Sequence, residues 1–326
     1  MAINGIVEGV RISGVACATP DCVVHNQEFV PTFGLEQVEK FEKMVGVRER
    51  HWVRGDETTS SLTVRAARKL AEGGKCSLLD VDALLFVSQT PSGRLPATAC
   101  RLHGELGLKK DCMAFDINLG CSGFVYGVFV AASILKTASV NKVLLCGGDT
   151  ISRIVDAKDP ASAPLFGDAG FAVILEKGEA AAPIRYAFKT DGEGADAIRC
   201  AVDGKLKMDG VDVFNFTINE VPDLINSEIL SAGLTSDIID YLVLHQANKF
   251  VLKQVAMATG FSMKKVPLSI DRYGNTSSAS IPLTLCDLAA NNKGLGIKKI
   301  LMAGFGVGLS WGTLIMDFDF STCMSL

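Results

Sequence analysis

Asp116-Ile117-Asn118-Leu119-Gly120-Cys121-Ser122-Gly123-Phe124 decides how this chain of 326 residues is read. An apolar run, Met113–Ile117, ends in a glycine turn that carries a cysteine. A second apolar stretch then extends from Gly123 to Leu135. That stretch is too short to cross a bilayer, which takes roughly 20 residues. It is apolar on every side, so it predicts a helix buried in a large core and starting beside Cys121. A thiol at such a helix N-terminus lies among unpaired amides at the positive end of the macrodipole, which eases thiolate formation. The same amides can hold the oxyanion of a tetrahedral intermediate. A plain buried cysteine in a glycine-rich turn is the alternative.

Working outward, the chain repeats itself. Val81–Thr90 and Ile239–Asn248 share an Asp, a short apolar run and a polar end. Lys142–Gly147 resembles Lys299–Gly304, and Asn118–Cys121 falls opposite Asn275–Ser278, all at an offset of 157–158 residues. This predicts two copies of one α/β unit, residues 1–178 and 179–326, joined near Lys177–Ala182. Continuous apolar runs predict strands buried on both faces at Val10–Val15, Leu84–Val87, Met113–Ile117, Val143–Cys146 and Ala172–Leu175 in the first copy. Leu242–Leu244, Ile300–Ala303 and Thr313–Met316 follow in the second. Ser61–Ala71 has helical spacing, with Gly73-Gly74 as a stop. Two sheets with buried helices between them make an α/β/α/β/α body.

Composition agrees with a large aliphatic α/β globule: 48% of residues are apolar, with 32 Gly and 10 Pro. A net charge of −4 gives no general pull toward nucleic acid or anionic membrane. The start, MAINGIVEGVRISG, lacks a signal peptide's pattern, so a cytoplasmic protein is expected. Ten cysteines are scattered, no C-x-x-C occurs, and most read as reduced buried side chains rather than as a zinc site.

His245 follows the apolar run Tyr241–Leu244, at a strand end, where open α/β sheets place their sites. In the repeat it replaces Val87. Asn275, in Gly274-Asn275-Thr276-Ser277-Ser278, belongs to the turn that mirrors the Cys121 turn, so the two turns should face one another. A satisfied core histidine and a helix N-cap are the plainer readings of these two residues. Gly304-Phe305-Gly306-Val307-Gly308 has the spacing G-x-G-x-G and is followed by Trp311 and a strand, which disfavours nucleotide binding. Its glycines let backbone approach a substrate closely, and Gly306 is the expected second oxyanion donor.

DINLGCSGF, LFGDAGFAVIL, HQAN, GNTSSASIP, GFGVGLSWG and, ahead of the cysteine, LPATACRL together resemble the β-ketoacyl-acyl-carrier-protein synthase III family of the thiolase superfamily, along the whole chain. The resemblance implies a thiolase-like five-layered fold from two duplicated halves, and a homodimer built through the sheet edge near Met113–Ile117. It implies a Cys–His–Asn site on Cys121, His245 and Asn275, with Phe305 as the family's Phe in the glycine turn. Cys121 takes an acyl group from a thioester, and malonyl-acyl carrier protein then loses carbon dioxide and attacks it. No metal, flavin or nucleotide cofactor is implied.

Several positions depart from the family. Lys40 and Met44 stand where a Trp and an Arg clamp the coenzyme A adenine. Pro160 replaces a coenzyme-binding Arg and Phe250 a carrier-docking Arg. These losses disfavour coenzyme A priming while the reactive centre is intact, so an acyl-carrier-protein donor is expected, in fatty-acid synthesis or in a specialised lipid or secondary pathway. Leu95 matches the residue that closes the partner's acyl pocket across the dimer. Lys249, Lys253, Lys264 and Lys265 are candidate contacts for an acidic carrier protein, or a solvated helix face. Rival readings are a same-fold acyltransferase with an O or N acceptor, a cysteine hydrolase and an idle binding partner.

Overall fold

The computed structural model describes residues 2–201 and 203–326. Two five-stranded sheets organise it. The first runs Val10–Ala18, Ala169–Lys177, Lys142–Asp149, Ala83–Val87, Met113–Ile117. Its first two pairings are antiparallel and its last two parallel. The second runs Ile3–Val7, Ile184–Thr190, Ser310–Asp319, Ile297–Gly306, Tyr241–Leu244, antiparallel except for the final pairing.

Four strands therefore repeat in order and sense between the sheets, and the fifth does not. Met113–Ile117 extends the first sheet at one edge. At its repeat position the chain forms the short helix Ile270–Tyr273 instead. Ile3–Val7, from the first half of the chain, joins the second sheet at the opposite edge. The N-terminal segment thus lends one strand to the second sheet and receives none in return. Met113–Ile117 is observed with its expected bounds, each other expected strand lies within a longer observed one, and Ser61–Ala71 lies within the helix Thr59–Glu72, capped by Thr58 and stopped at Gly73.

Alternate side chains on each central strand feed different cores. Leu85 and Val87 point inward with Val243, Ile300 and Met302, onto the helices Gly123–Thr137 and Ser280–Asn291. Leu84 and Phe86 point outward, against Val64, Ala67 and Leu70 of Thr59–Glu72 and Leu102 of Thr98–Glu105. On the second sheet, Leu242, Leu244 and Leu301 pack outward against Leu224 and Ile225 of Gly210–Ser231 and Leu252 of Lys249–Ala258. Helix, sheet, helix pair, sheet and helix make five layers. A strand covered on both faces must be apolar throughout, which is why these runs do not alternate. Among the described residues no helix is long and apolar enough to cross a membrane. The ten cysteines are free; five are buried, three half-buried, and Cys100 and Cys200 are exposed.

The two middle helices place the site. Gly123–Thr137 starts directly after Cys121, and Ser280–Asn291 directly after the Asn275 turn. Both begin at the carboxyl ends of the parallel strands, the same end to which Tyr241–Leu244 delivers His245.

Candidate active site

The two mirrored turns meet. The Cys121 sulfur lies 3.8 Å from the Ser277 hydroxyl, and a Cβ on Gly120 would come within 3.2 Å of the same oxygen. Cys121 is buried and lines a cavity of ≈ 340 Å³ that His245, Asn275, Phe305 and Gly306 also line. One expectation reverses here. The helix terminus is present, but desolvation outweighs it: burial pushes the Cys121 thiol up to about 12. The Asp149 charge adds to the rise, while hydrogen bonds from Ser277 and from the Cys121 and Val307 backbones oppose it.

His245 is neutral. Burial pulls it down to about 3, against an opposing hydrogen bond with the Ser277 backbone. Its Nδ1 lies 2.7 Å from the Ser280 hydroxyl. When that hydroxyl donates, the single imidazole proton sits on Nε2. The Phe305 ring stands edge-on to the imidazole at 5.4 Å. The satisfied-histidine reading therefore holds for one ring nitrogen and leaves the other for chemistry.

Asn275 is fixed from both sides. Its backbone N–H donates to the Leu165 carbonyl at 2.9 Å, and its carbonyl accepts from Gly167 at 3.0 Å. Gly274 turns into it with φ +65, and a Cβ there would press on the Leu165 oxygen. The side-chain Oδ1 accepts the Ser277 N–H at 2.9 Å. An oxygen so occupied turns the NH₂ group away as a donor. Asn275 thus caps its own turn and keeps a donor free.

The glycine turn brings a second amide to the nucleophile besides that of Cys121 itself. The backbone amide that hydrogen-bonds the Cys121 sulfur is that of Val307, one residue beyond the expected Gly306. Gly306 serves instead by lacking a side chain, since a Cβ there would lie 2.8 Å from Cys121 Cβ and 3.2 Å from the sulfur. Ser122 and Ser310 lock the two turns together, hydroxyl to hydroxyl at 2.7 Å, and Ser310 also donates to the Val307 carbonyl at 2.8 Å.

Sequence reasoning missed Asp149. This buried carboxylate ends the strand Lys142–Asp149 and accepts from Ser88, Gln89 and Thr90 on one side. On the other it accepts from the Ser278 amide and hydroxyl, at 3.2 and 2.7 Å. It ties the Asn275 turn to the sheet that carries Cys121. Its one available signal was that a charge closes an otherwise apolar strand.

The outlying candidates scatter. Leu95 is 85% exposed and lies outside the cavity on a single chain. Lys249 and Lys253 lie exposed on the helix Lys249–Ala258, which Asn248 caps from the cavity wall. Lys265 is not available for docking, because its ammonium donates to the carbonyls of Ser236, Asp237 and Ile239. Phe250 stacks on Phe214 at 5.7 Å, and Phe214 lines the cavity. Among the described residues no three His, Cys, Asp or Glu side chains gather as a metal site.

Comparison with known proteins places this geometry. Residues 115–192 match the sequence profile described as 3-oxoacyl-[acyl-carrier-protein (ACP)] synthase III, and residues 229–318 match its C-terminal counterpart. A Nostoc protein named beta-ketoacyl-[acyl-carrier-protein] synthase III is 34% identical, over 95% of this chain and 98% of its own length. One of that name from Streptococcus gordonii is 34% identical, over 94% and 98%. The crystal structure of 3-oxoacyl-(acyl-carrier protein) synthase from Burkholderia xenovorans LB400 matches with a TM-score of 0.96 at 36% identity, over 99% of this chain and 98% of that one.

Proposed function

The chain belongs to the 3-oxoacyl-[acyl-carrier-protein] synthase III family, and on that premise we propose that it joins an acyl thioester to malonyl-acyl carrier protein by decarboxylating Claisen condensation. The observation that carries the residue assignment is the meeting of the Cys121 and Asn275 turns around one cavity that His245 also lines.

In the first stage the Cys121 sulfur attacks the donor thioester. Its proton, held by a thiol at about 12, passes to the departing donor sulfur, since His245 has Nδ1 accepting from Ser280 and its one proton on Nε2. The amides of Cys121 and Val307 face the developing oxyanion. The donor's C–S bond breaks, and its sulfur leaves with the proton. In the second stage the malonyl thioester oxygen sits between His245 Nε2–H and Asn275 Nδ2. Loss of carbon dioxide places negative charge on that oxygen, where two neutral donors stabilise it. The α-carbon attacks the acyl carbonyl, the C–Sγ bond breaks, and the departing thiolate takes one proton from water to restore the thiol. Nothing in these steps needs a metal or organic cofactor.

The surface supports a carrier-protein donor. Lys40 and Met44 are exposed and offer no aromatic clamp for adenine; Phe250 removes one carrier-docking cation and leaves the neighbouring lysines around its ring to serve that role. Lys249 and Lys253 flank that ring and suit an acidic carrier surface. Two copies pairing along Met113–Ile117, a strand with one free edge and Met113 42% exposed, would give the homodimer and bring Leu95 to the partner's pocket. Expression in the cytoplasm fits such substrates. Release of labelled carbon dioxide from carboxyl-labelled malonyl-carrier protein, matched one-to-one by β-ketoacyl product, tests the reaction. Acyl transfer to an alcohol or amine without that release would favour the rival acyltransferase, and free acid alone a hydrolase.

A further inference from the structure

The cavity wall changes character around Cys121. Its larger part is aliphatic and aromatic, contributed by Ile151, Ile154, Ile198, Leu206, Val213 and Phe214. Gln89 and Asn118 are different. They follow the neighbouring parallel strands Ala83–Val87 and Met113–Ile117 and bring two carboxamides into the same wall. The sheet order separates the two regions: the 150–168 segment leaves from Lys142–Asp149, on one flank of Ala83–Val87, and Asn118 leaves from the edge strand on the other.

Gln89 is a built feature rather than a loose surface residue. Its backbone N–H donates to Asp149 Oδ1 at 2.8 Å, and the next residue, Thr90, donates to the same oxygen through both its amide and its hydroxyl. The side chain lies flat against the nucleophile's turn. A Cβ on Gly120 would collide with the Gln89 amide oxygen and would sit 3.2 Å from the Ser277 hydroxyl, which itself lies 3.8 Å from the Cys121 sulfur. Gly120 leaves the room that this carboxamide fills beside the nucleophile's turn. Among the described residues, neither the Gln89 nor the Asn118 carboxamide finds a hydrogen-bond partner; the one bond at Gln89 uses its backbone.

A carboxamide presents a donor and an acceptor side by side. An alkyl chain bound here displaces water and leaves both unpaired, a penalty worth about tenfold in binding. A hydroxyl both donates and accepts, so it satisfies the pair. We propose that Gln89, with Asn118, selects acyl groups bearing a hydroxyl on the second or third carbon, in reach of a side chain packed against the residue next to Cys121. This rests on the condensing reading of the site and adds the substrate class to it.

The test uses N-acetylcysteamine thioesters of butyrate, 2-hydroxybutyrate and 3-hydroxybutyrate, which differ by one oxygen and need no carrier recognition. The rate of Cys121 acylation is read by intact-protein mass. Wild type should take one hydroxybutyryl donor at least tenfold faster than butyryl, and Gln89→Leu should reduce that ratio below twofold. Gln89→Met, closer in shape, is read the same way to guard against misfolding. Wild type that takes butyryl equally fast or faster overturns the inference, as does a preference that survives in both variants. Absence of acylation by all three donors, in wild type with an intact thiol, strikes at the condensing reading instead.

Discussion

Replacing Asp149 by Asn removes a charge and turns one acceptor oxygen into a donor, at a side chain fully buried between the halves. Oδ1 accepts from the Ser88 hydroxyl, the Gln89 amide, and the Thr90 amide and hydroxyl. Oδ2 accepts from the Ser278 amide and hydroxyl. The new amide keeps its oxygen toward the larger group of donors, so its NH₂ faces Ser278. The Ser278 hydroxyl can turn to accept, but the Ser278 N–H cannot. One unpaired buried N–H costs about 1–3 kcal/mol, and the bonds that remain lose their charge assistance. Set against the easier desolvation of a neutral group, the net loss is about 2–3 kcal/mol. Urea denaturation reads it. The same variant makes a second, opposite-looking prediction. Asp149 holds the Cys121 thiol up, so Asp149→Asn makes the thiol more acidic and moves its iodoacetamide profile to lower pH, while condensation slows because the Asn275 turn is loosened. Stability within about 1 kcal/mol of wild type, or a profile moving to higher pH, would refute the reasoning.

Other outcomes follow from the same geometry. Asn275→Ala should leave acylation of Cys121 in place and slow decarboxylation by about 10²–10³-fold, as for loss of one oxyanion donor; single-turnover assays of the two stages separate them. Gly306→Ala pushes a methyl into Cys121 and should abolish acylation, while Val307→Ala, which keeps the amide, should retain most of it. His245 sits at about 3 in the fold against 6.5 unfolded. Below 6.5 the unfolded chain takes up a proton that the folded chain refuses, so stability falls with pH. From pH 7.5 to 5.5 this group alone removes about 1.4 kcal/mol, and His245→Gln should lack that component in urea melts at the two pH values. Lys249→Glu with Lys253→Glu should raise the KM for malonyl-carrier protein and leave acylation by small thioesters unchanged.

Much of this molecule is legible in its sequence because burial on two faces leaves a plain trace. Leu84–Val87, Val143–Cys146 and Ile300–Ala303 are apolar at every position, and each lies in an interior strand of a sheet. Ile3–Val7 and Ile184–Thr190 leave no such trace: they lie toward an edge, mix polar with apolar residues, and pair across the repeat boundary, which only the fold can reveal. Cys121, His245 and Asn275 stand out because repeat symmetry makes their turns comparable. What surrounds them does not. That Val307 rather than Gly306 addresses the sulfur depends on the direction of one amide in a tight turn. Whether Cys121 rests as thiol or thiolate depends on desolvation competing with the helix terminus, and sequence shows only the second. Ser280, partner of His245 Nδ1, reads as one more hydroxyl in a serine-rich helix start.

The proposal that Cys121 carries the acyl group through both stages is tested most directly by intact-protein and peptide mass after exposure to an acyl thioester, then after addition of malonyl-carrier protein. The account predicts one acyl mass on the Cys121 peptide, removed by malonyl-carrier protein as β-ketoacyl product appears. An acyl group on another residue, or an acyl-Cys121 that malonyl-carrier protein leaves untouched, would contradict it.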